Sequence, residues 1–224
     1  MACKRELSQE KLQQVDELHT LLMQNQPVTN GSDSILWDAK KSYTVKAFQQ
    51  AVNRESVFDS VICKVWMKLA PPKVEFFLWL ALLEKLNTKE MLWKKGILQA
   101  NQIGCPLCTA QSETENSDHL LVACPISWSI WCTIAEDLGQ VITVPATFRH
   151  HFEEWMSRQW RNTIMRKLWC STFFAVAWSL WLMRNEIIFQ QKALNVEVLC
   201  NLIRWRVTFW QEHGRMNCHT RWMI

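Results

Sequence analysis

"CPLCTAQSETENSDHLLVAC", Cys105 to Cys124, sets three cysteines and one histidine in the pattern C-x2-C-x10-H-x4-C. Two cysteines separated by two residues fold so that both sulfurs face one tetrahedral centre, with the following backbone N–H groups turned back onto the first sulfur. Pro106 stiffens that turn, because its φ is fixed and it has no N–H to lose. The second pair needs a different argument. Five positions along an α-helix is a rotation of about 140°, so His119 and Cys124 cannot face one ion from an unbroken helix, and a break between them is expected. Pro125 supplies it, since the residue before a proline is driven out of the α region. Ser117 is the expected cap of a short helix starting at Asp118. Three thiolates and an imidazole, with no carboxylate and no open position, make the donor set of a structural zinc site. Cys105, Cys108, His119 and Cys124 are therefore the predicted ligands of one structural Zn2+. The intervening "TAQSETENSD" has no large apolar residue with which to order itself, so the metal would do the ordering. The competing explanation is chance, four residues falling into this order in a chain with nine cysteines.

Outside this cluster the cysteines are scattered and their total is odd, which argues against a disulfide framework. The opening "MACKRELSQEKLQQ" is charged and lacks the apolar core of a secretory signal. An intracellular, reducing location is expected, nucleus or cytoplasm alike. Apolar residues make up 49% of the chain and include 14 tryptophans, enough for a packed core, while five glycines and six prolines leave few tight turns. The expected fold is mainly α: a helical bundle with the zinc loop embedded in it.

Residues 6–24 place Leu7, Leu12, Val15, Leu18 and Leu22 on one helical stripe, which "NQPVTNGSDS" ends. "ILWDAKKSYTV" reads as a short β-hairpin. In "VFDSVICKVWMKL" the residues Val57, Val61, Val65 and Leu69 recur every four positions, with Lys64 and Lys68 on another face. "KVEFFLWLALLEKL" is apolar nearly all round and is expected to be the central buried helix. Asn87 with Glu90 suggests a capped start, and Gly96 a stop, for "TKEMLWKK". "PISWSIWCTIAEDL" is amphipathic, with Ile126, Ile130 and Trp131 on a common side. The most apolar run, Leu168 to Met183, is shorter than the roughly 20 residues a bilayer span requires and is closely flanked by Arg166, Lys167 and Arg184. It reads as a core helix, and no membrane partner is expected. Cys132 reads as a core residue, and His150 with His151 as an exposed pair near a helix start.

Three segments in order, "DSILWDAKKSYTVKAFQQAV", "VWMKLAPPKVEFFLWLALLEKLNTKEMLWKKGI" and "CPLC" through "DHLLVACPISWSIW", resemble the zinc-binding domain C-terminal to the polymerase in plant LINE-type (non-LTR) retrotransposon reverse transcriptases. "WSLWLMRNEIIF" resembles the tryptophan and Arg-Asn segment that follows it. The resemblance implies the same four metal ligands and divides the chain into an N-terminal helix and linker (1–32), the zinc-binding domain (33–135) and a Trp- and Arg-rich helical region (136–224). No catalytic residue carries over: the chain has no adjacent aspartates and no ribonuclease H pattern of acidic residues, so a non-enzymatic fragment or descendant is expected. Ser42 departs from the family, which usually has glycine there.

The partner that the resemblance implies is RNA, or an RNA and DNA template complex. From Arg149 onward eleven Lys or Arg stand against five Asp or Glu, which suits a polyanion. Lys64, Lys68, Lys73, Lys89, Lys94 and Lys95 are candidate phosphate contacts. Arg204 and Arg206, interleaved with Trp205, Phe209 and Trp210, are candidates for stacking on bases. For each of these residues alone, a solvated lysine or a core tryptophan is the simpler reading. The alternatives are a module that binds a polymerase domain or another protein through an apolar face, and a retroelement relic without a role.

Overall fold

The computed structural model describes residues 9–24, 36–37, 41–42, 44–49, 59–108 and 113–213. The chain divides into two compact units, Met1–Phe58 and Asp59–Ile224. In the first, α1 (Gln9–Gln24) follows the leucine stripe from Leu12 on and leaves Leu12, Val15, Leu18 and Leu22 exposed, while Leu7 lies outside the described residues. The expected hairpin is present: β1 (Leu36–Trp37) and β2 (Lys41–Ser42) pair antiparallel, with Leu36 opposite Ser42. Residues 45–49 are helical.

The second unit begins with α2 (Ser60–Cys63), where the Asp59 carboxylate accepts from the N–H groups of Val61 and Ile62. The helix expected to continue to Leu69 stops here. Turns follow, and Lys68 adopts φ 62°, with its N–H on the Glu75 carboxylate. Lys64 and Lys68 consequently share no helical face, and Val57 lies outside the described residues. The four-residue recurrence arises from a turn that packs Val65 inward rather than from a helix.

Pro72 opens α3 (Pro72–Leu82), where the missing N–H costs nothing. Although nearly every side chain here is apolar, α3 is not the central helix. Val74, Phe77, Leu78, Ala81 and Leu82 turn inward, while Phe76 remains 51% exposed. In α4 (Lys89–Lys94) the cap is Thr88, which accepts the Met91 N–H at 3.3 Å, and not Asn87. Gly96 does end it: at φ 73° its N–H and that of Ile97 reach the carbonyls of Trp93 and Leu92, which closes the helix end.

Four longer helices complete the unit: α5 (Pro125–Asp137), α6 (Phe148–Ser157), α7 (Thr163–Gln190) and α8 (Val196–His213). The centre belongs to α7, capped by Asn162 and buried almost continuously from Trp169 to Ala177. Among the described residues no helix is long and apolar enough to cross a membrane. Helix α3 packs on α7 through Phe77, whose ring meets that of Trp178 edge-on at 5.2 Å. From the other side α6 presents Phe148, His151, Phe152, Trp155 and Met156, an i, i+3, i+4, i+7, i+8 face. His151 is therefore buried, contrary to the expected exposed pair; only His150 faces solvent, where it meets Glu154. Each large buried side chain of this kind contributes about 1.5 to 3 kcal/mol, and well-oriented ring pairs add about 0.5 to 1.5 kcal/mol.

Candidate metal centre

An antiparallel bridge between Gly104 and Thr114 forms the base of the centre, with Cys105 N–H donating to Glu113 O at 3.0 Å and Glu115 N–H to Ile103 O at 2.8 Å. Cys105 leaves this bridge directly into the turn with Cys108, and buried Leu107 anchors it to the core. The Leu107 and Cys108 N–H groups point at the Cys105 sulfur, the turned-back amides expected of the C-x2-C spacing. Residues 109–112 lie outside the described residues.

The expected break between His119 and Cys124 takes another form. The chain widens into a π-helical turn over His119–Ala123, closed by Cys124 N–H donating to His119 O at 2.7 Å. That i to i+5 bond returns the chain over itself after five residues, so both side chains can face one point where an α-helix would part them. The wider turn frees carbonyls, and α5 satisfies them: Ser127 Oγ donates to Leu120 O at 2.6 Å and Trp131 Nε1 to Leu121 O at 2.7 Å. Cys124 is extended, at φ −63° and ψ 129°, as Pro125 requires. The cap is Asn116 rather than Ser117, its Oδ1 accepting the His119 N–H at 2.7 Å. Asn at the position three before the first turn's amide is a recognisable signal.

The ligand atoms of Cys105, Cys108, His119 and Cys124 all lie within 4.8 Å of one another. A zinc tetrahedron with sulfur bonds near 2.3 Å has edges of about 3.8 Å, so a small contraction would close the set. His119 Nε2 lies 3.3 Å from Cys108 Sγ, and its Nδ1 is turned toward the Glu113 carboxylate at 3.9 Å. The orientation matches a metal-binding imidazole backed by a carboxylate. Beside the Cys105 thiol, Cys124 is held down at about 5, against the opposing effect of burial, with help from the Ser127 and Ile126 N–H groups that open α5. The same contact, with burial, pushes Cys105 up. Two thiols competing for one proton inside a ring of backbone donors suit a cation that replaces the proton.

A second element of the site was not legible in the sequence. Glu115 is fully buried and its carboxylate meets Arg184 of α7, with Arg184 Nη2 at 2.6 Å and Nε at 3.1 Å from Oε1. Lys89 N–H, at the start of α4, donates to the same oxygen at 2.8 Å. Arg184 also lies over the Trp181 ring at 5.0 Å and donates to Asn185 Oδ1 at 2.9 Å. The loop, α4 and α7 thus converge on one carboxylate. Asp118 does similar work on a smaller scale, accepting the Phe148 N–H at 2.7 Å where α6 begins.

The candidate nucleic-acid residues fall in different settings. Lys64, Lys68 and Lys73 are exposed, with Lys73 Nζ 5.8 Å from the centre of the Trp178 ring. Lys94 pairs with Glu90 at 2.9 Å and Lys95 donates to Asn87 Oδ1 at 2.8 Å. Lys89 turns inward to the Gly104 carbonyl, at 2.8 Å. Arg204 binds Asp137 at 2.7 Å. Arg206 is buried and donates to Ser179 Oγ, so its guanidinium does not face solvent, and this burial lowers its pKa to about 10.

Residues 40–131 match a family model described as zinc-binding in reverse transcriptase. All four candidate ligands fall inside the match. Neither the search of curated proteins nor that of solved structures gives a match. The family description and the Cys3His cluster together point to zinc as the metal.

Proposed function

We propose that this chain is a non-catalytic nucleic-acid-binding module, organised by one structural zinc ion and descended from the C-terminal region of a plant LINE-type retrotransposon reverse transcriptase. Its ligand is single-stranded RNA or an RNA and DNA template complex. The observation that carries the reading is that the matched segment exposes Trp66, Phe76 and Trp93 together with Lys64, Lys68, Lys73, Lys94 and Lys95. Exposed rings offer stacking faces to unpaired bases, and the lysines offer charge to the phosphates. Zinc in this reading holds the loop and takes no part in a reaction.

The test is binding of a labelled single-stranded RNA by fluorescence anisotropy. Affinity is expected to fall roughly tenfold or more between about 50 and 200 mM salt, through counterion release. Absent or salt-independent binding would overturn the reading. A protein-interaction module is the second reading, favoured by the exposed apolar stripe of α1, Leu12, Val15, Leu18 and Leu22. It predicts a partner protein or self-association, either one abolished by Leu18→Asp with Leu22→Asp.

A further inference from the structure

The connector that follows α5 runs along a surface cleft of about 320 Å³, remote in sequence from the metal ligands. Its floor is aromatic: His151, Trp155 and Trp169 line it, and all three are buried. Trp155 and Trp169 stack with centroids 3.8 Å apart and planes within 9°. Each indole N–H donates to the other residue's carbonyl at 2.9 Å, so both rings are fixed and their polar atoms engaged.

His151 differs. The residue is 2% exposed, and among the described residues its Nε2 has no hydrogen-bond partner. The rings around it, Trp131 at 4.6 Å and Phe173 and Trp155 both at 5.4 Å, are apolar faces and edges that leave the nitrogen unsatisfied. A buried polar atom without a partner is costly, and such atoms in native proteins call for an explanation. Burial keeps the imidazole neutral, its pKa lowered to about 3.

At the mouth stand exposed Thr143 and two charged side chains, Glu154 and Arg158. Glu154 is engaged with His150 at 3.2 Å. The Arg158 guanidinium lies 5.2 Å from the centre of the Trp169 ring, at the edge of the floor. Basic residues continue from there through Arg161, Arg166 and Lys167, and no Asp or Glu occurs from 155 to 185.

We infer that this cleft receives one unpaired base of a single-stranded RNA, its edge hydrogen-bonded to His151 Nε2 and its phosphate held by Arg158; the inference rests on the nucleic-acid reading above. The ligand class follows from the lining. A base has donors and acceptors on its edge, so it can satisfy Nε2 whichever tautomer His151 adopts. A purely apolar ring would leave that nitrogen orphaned, and a bare phosphate offers no donor and acceptor edge and would leave most of the about 320 Å³ unfilled. The volume lies near the lower end for ligand pockets, which suits one ring system rather than a peptide or helix.

Imidazole 15N signals of His151 in the unaltered chain report on the cleft directly, and they are expected to shift when a short single-stranded RNA is added. Thr143→Trp, which fills the mouth from an exposed position, is expected to lower RNA affinity about tenfold by closing the cleft to the base, the equivalent of about 1.4 kcal/mol. Arg158→Ala should lower affinity and reduce the salt slope by about 0.7. RNA binding of equal strength in parent and both variants, with His151 signals unmoved, refutes the inference while the proposed function stands. A chain that binds no RNA refutes both.

Discussion

The metal ligands Cys105, His119 and Cys124 and the centre of helix α7 are both buried, yet the two regions are held by different means. In α7 the interior is made of many modest contacts, among them Trp169, Phe173, Phe174, Val176 and Leu180, each at most 1% exposed. No single one decides the fold. In the loop the polar stretch between the ligand pairs offers little apolar surface, and order depends on four donor atoms within 4.8 Å and a few directed hydrogen bonds. A core of the first kind degrades gradually under substitution, whereas a site of the second kind fails when one ligand is lost. Glu115 and Arg184 connect the two, so the metal region is joined to the core by a buried charged contact beside the packing of Leu107, Leu120, Leu121 and Val122.

The largest expected effect breaks the comparison at its weaker half. Cys105→Ser with Cys108→Ser should abolish zinc binding, removing a metal contribution on the order of 10 kcal/mol. Amide exchange should then accelerate over 103–124 while 169–180 stays protected. Equal loss in both regions would show that they are one cooperative unit.

Acid tests the other half. His151 has a folded pKa of about 3, depressed below the unfolded value of 6.5 by burial first and by neighbouring His150 second. The unfolded chain therefore takes up the proton first as pH falls. Stability from this residue is full above about pH 6.5 and declines toward pH 3, by as much as roughly 4 to 5 kcal/mol. His151→Phe should flatten that limb in denaturant titrations; zinc release acts on parent and variant alike and cancels in the difference. An unchanged acid limb would mean that the ring is not desolvated.

Severing the connection comes next. Glu115→Ala leaves Arg184 buried without its carboxylate and should cost about 3 to 5 kcal/mol, with Glu115→Ala and Arg184→Met together recovering part of it. A cost below about 1 kcal/mol would remove this pair as the joint. At the surface, Arg204→Ala breaks a pair with Asp137 whose side chains are 42% and 38% exposed, and thermal melting should register no more than about 1 kcal/mol.

The mainly helical class, the hairpin and the clustering of the four ligands are legible in the sequence, because spacing and composition are local properties. The differences have physical sources. Apolar recurrence at 57–69 suggests a helix, yet Lys68 takes a positive φ that no periodicity reveals. The α-helical rotation between His119 and Cys124 demands a break, and the chain meets the demand by widening the turn instead. His151 belongs to a buried face that the spacing of Phe148, Phe152 and Trp155 makes readable, although its polarity and its neighbour His150 suggest solvent. Glu115 lies 69 residues from Arg184, and a contact at that separation leaves no local pattern to read.

X-ray absorption at the zinc edge of the purified chain tests the central claim most directly. A shell of three sulfurs near 2.3 Å and one nitrogen near 2.0 to 2.1 Å is the predicted result. A chain without zinc, or a shell in which oxygen replaces any of the three sulfurs, would contradict it.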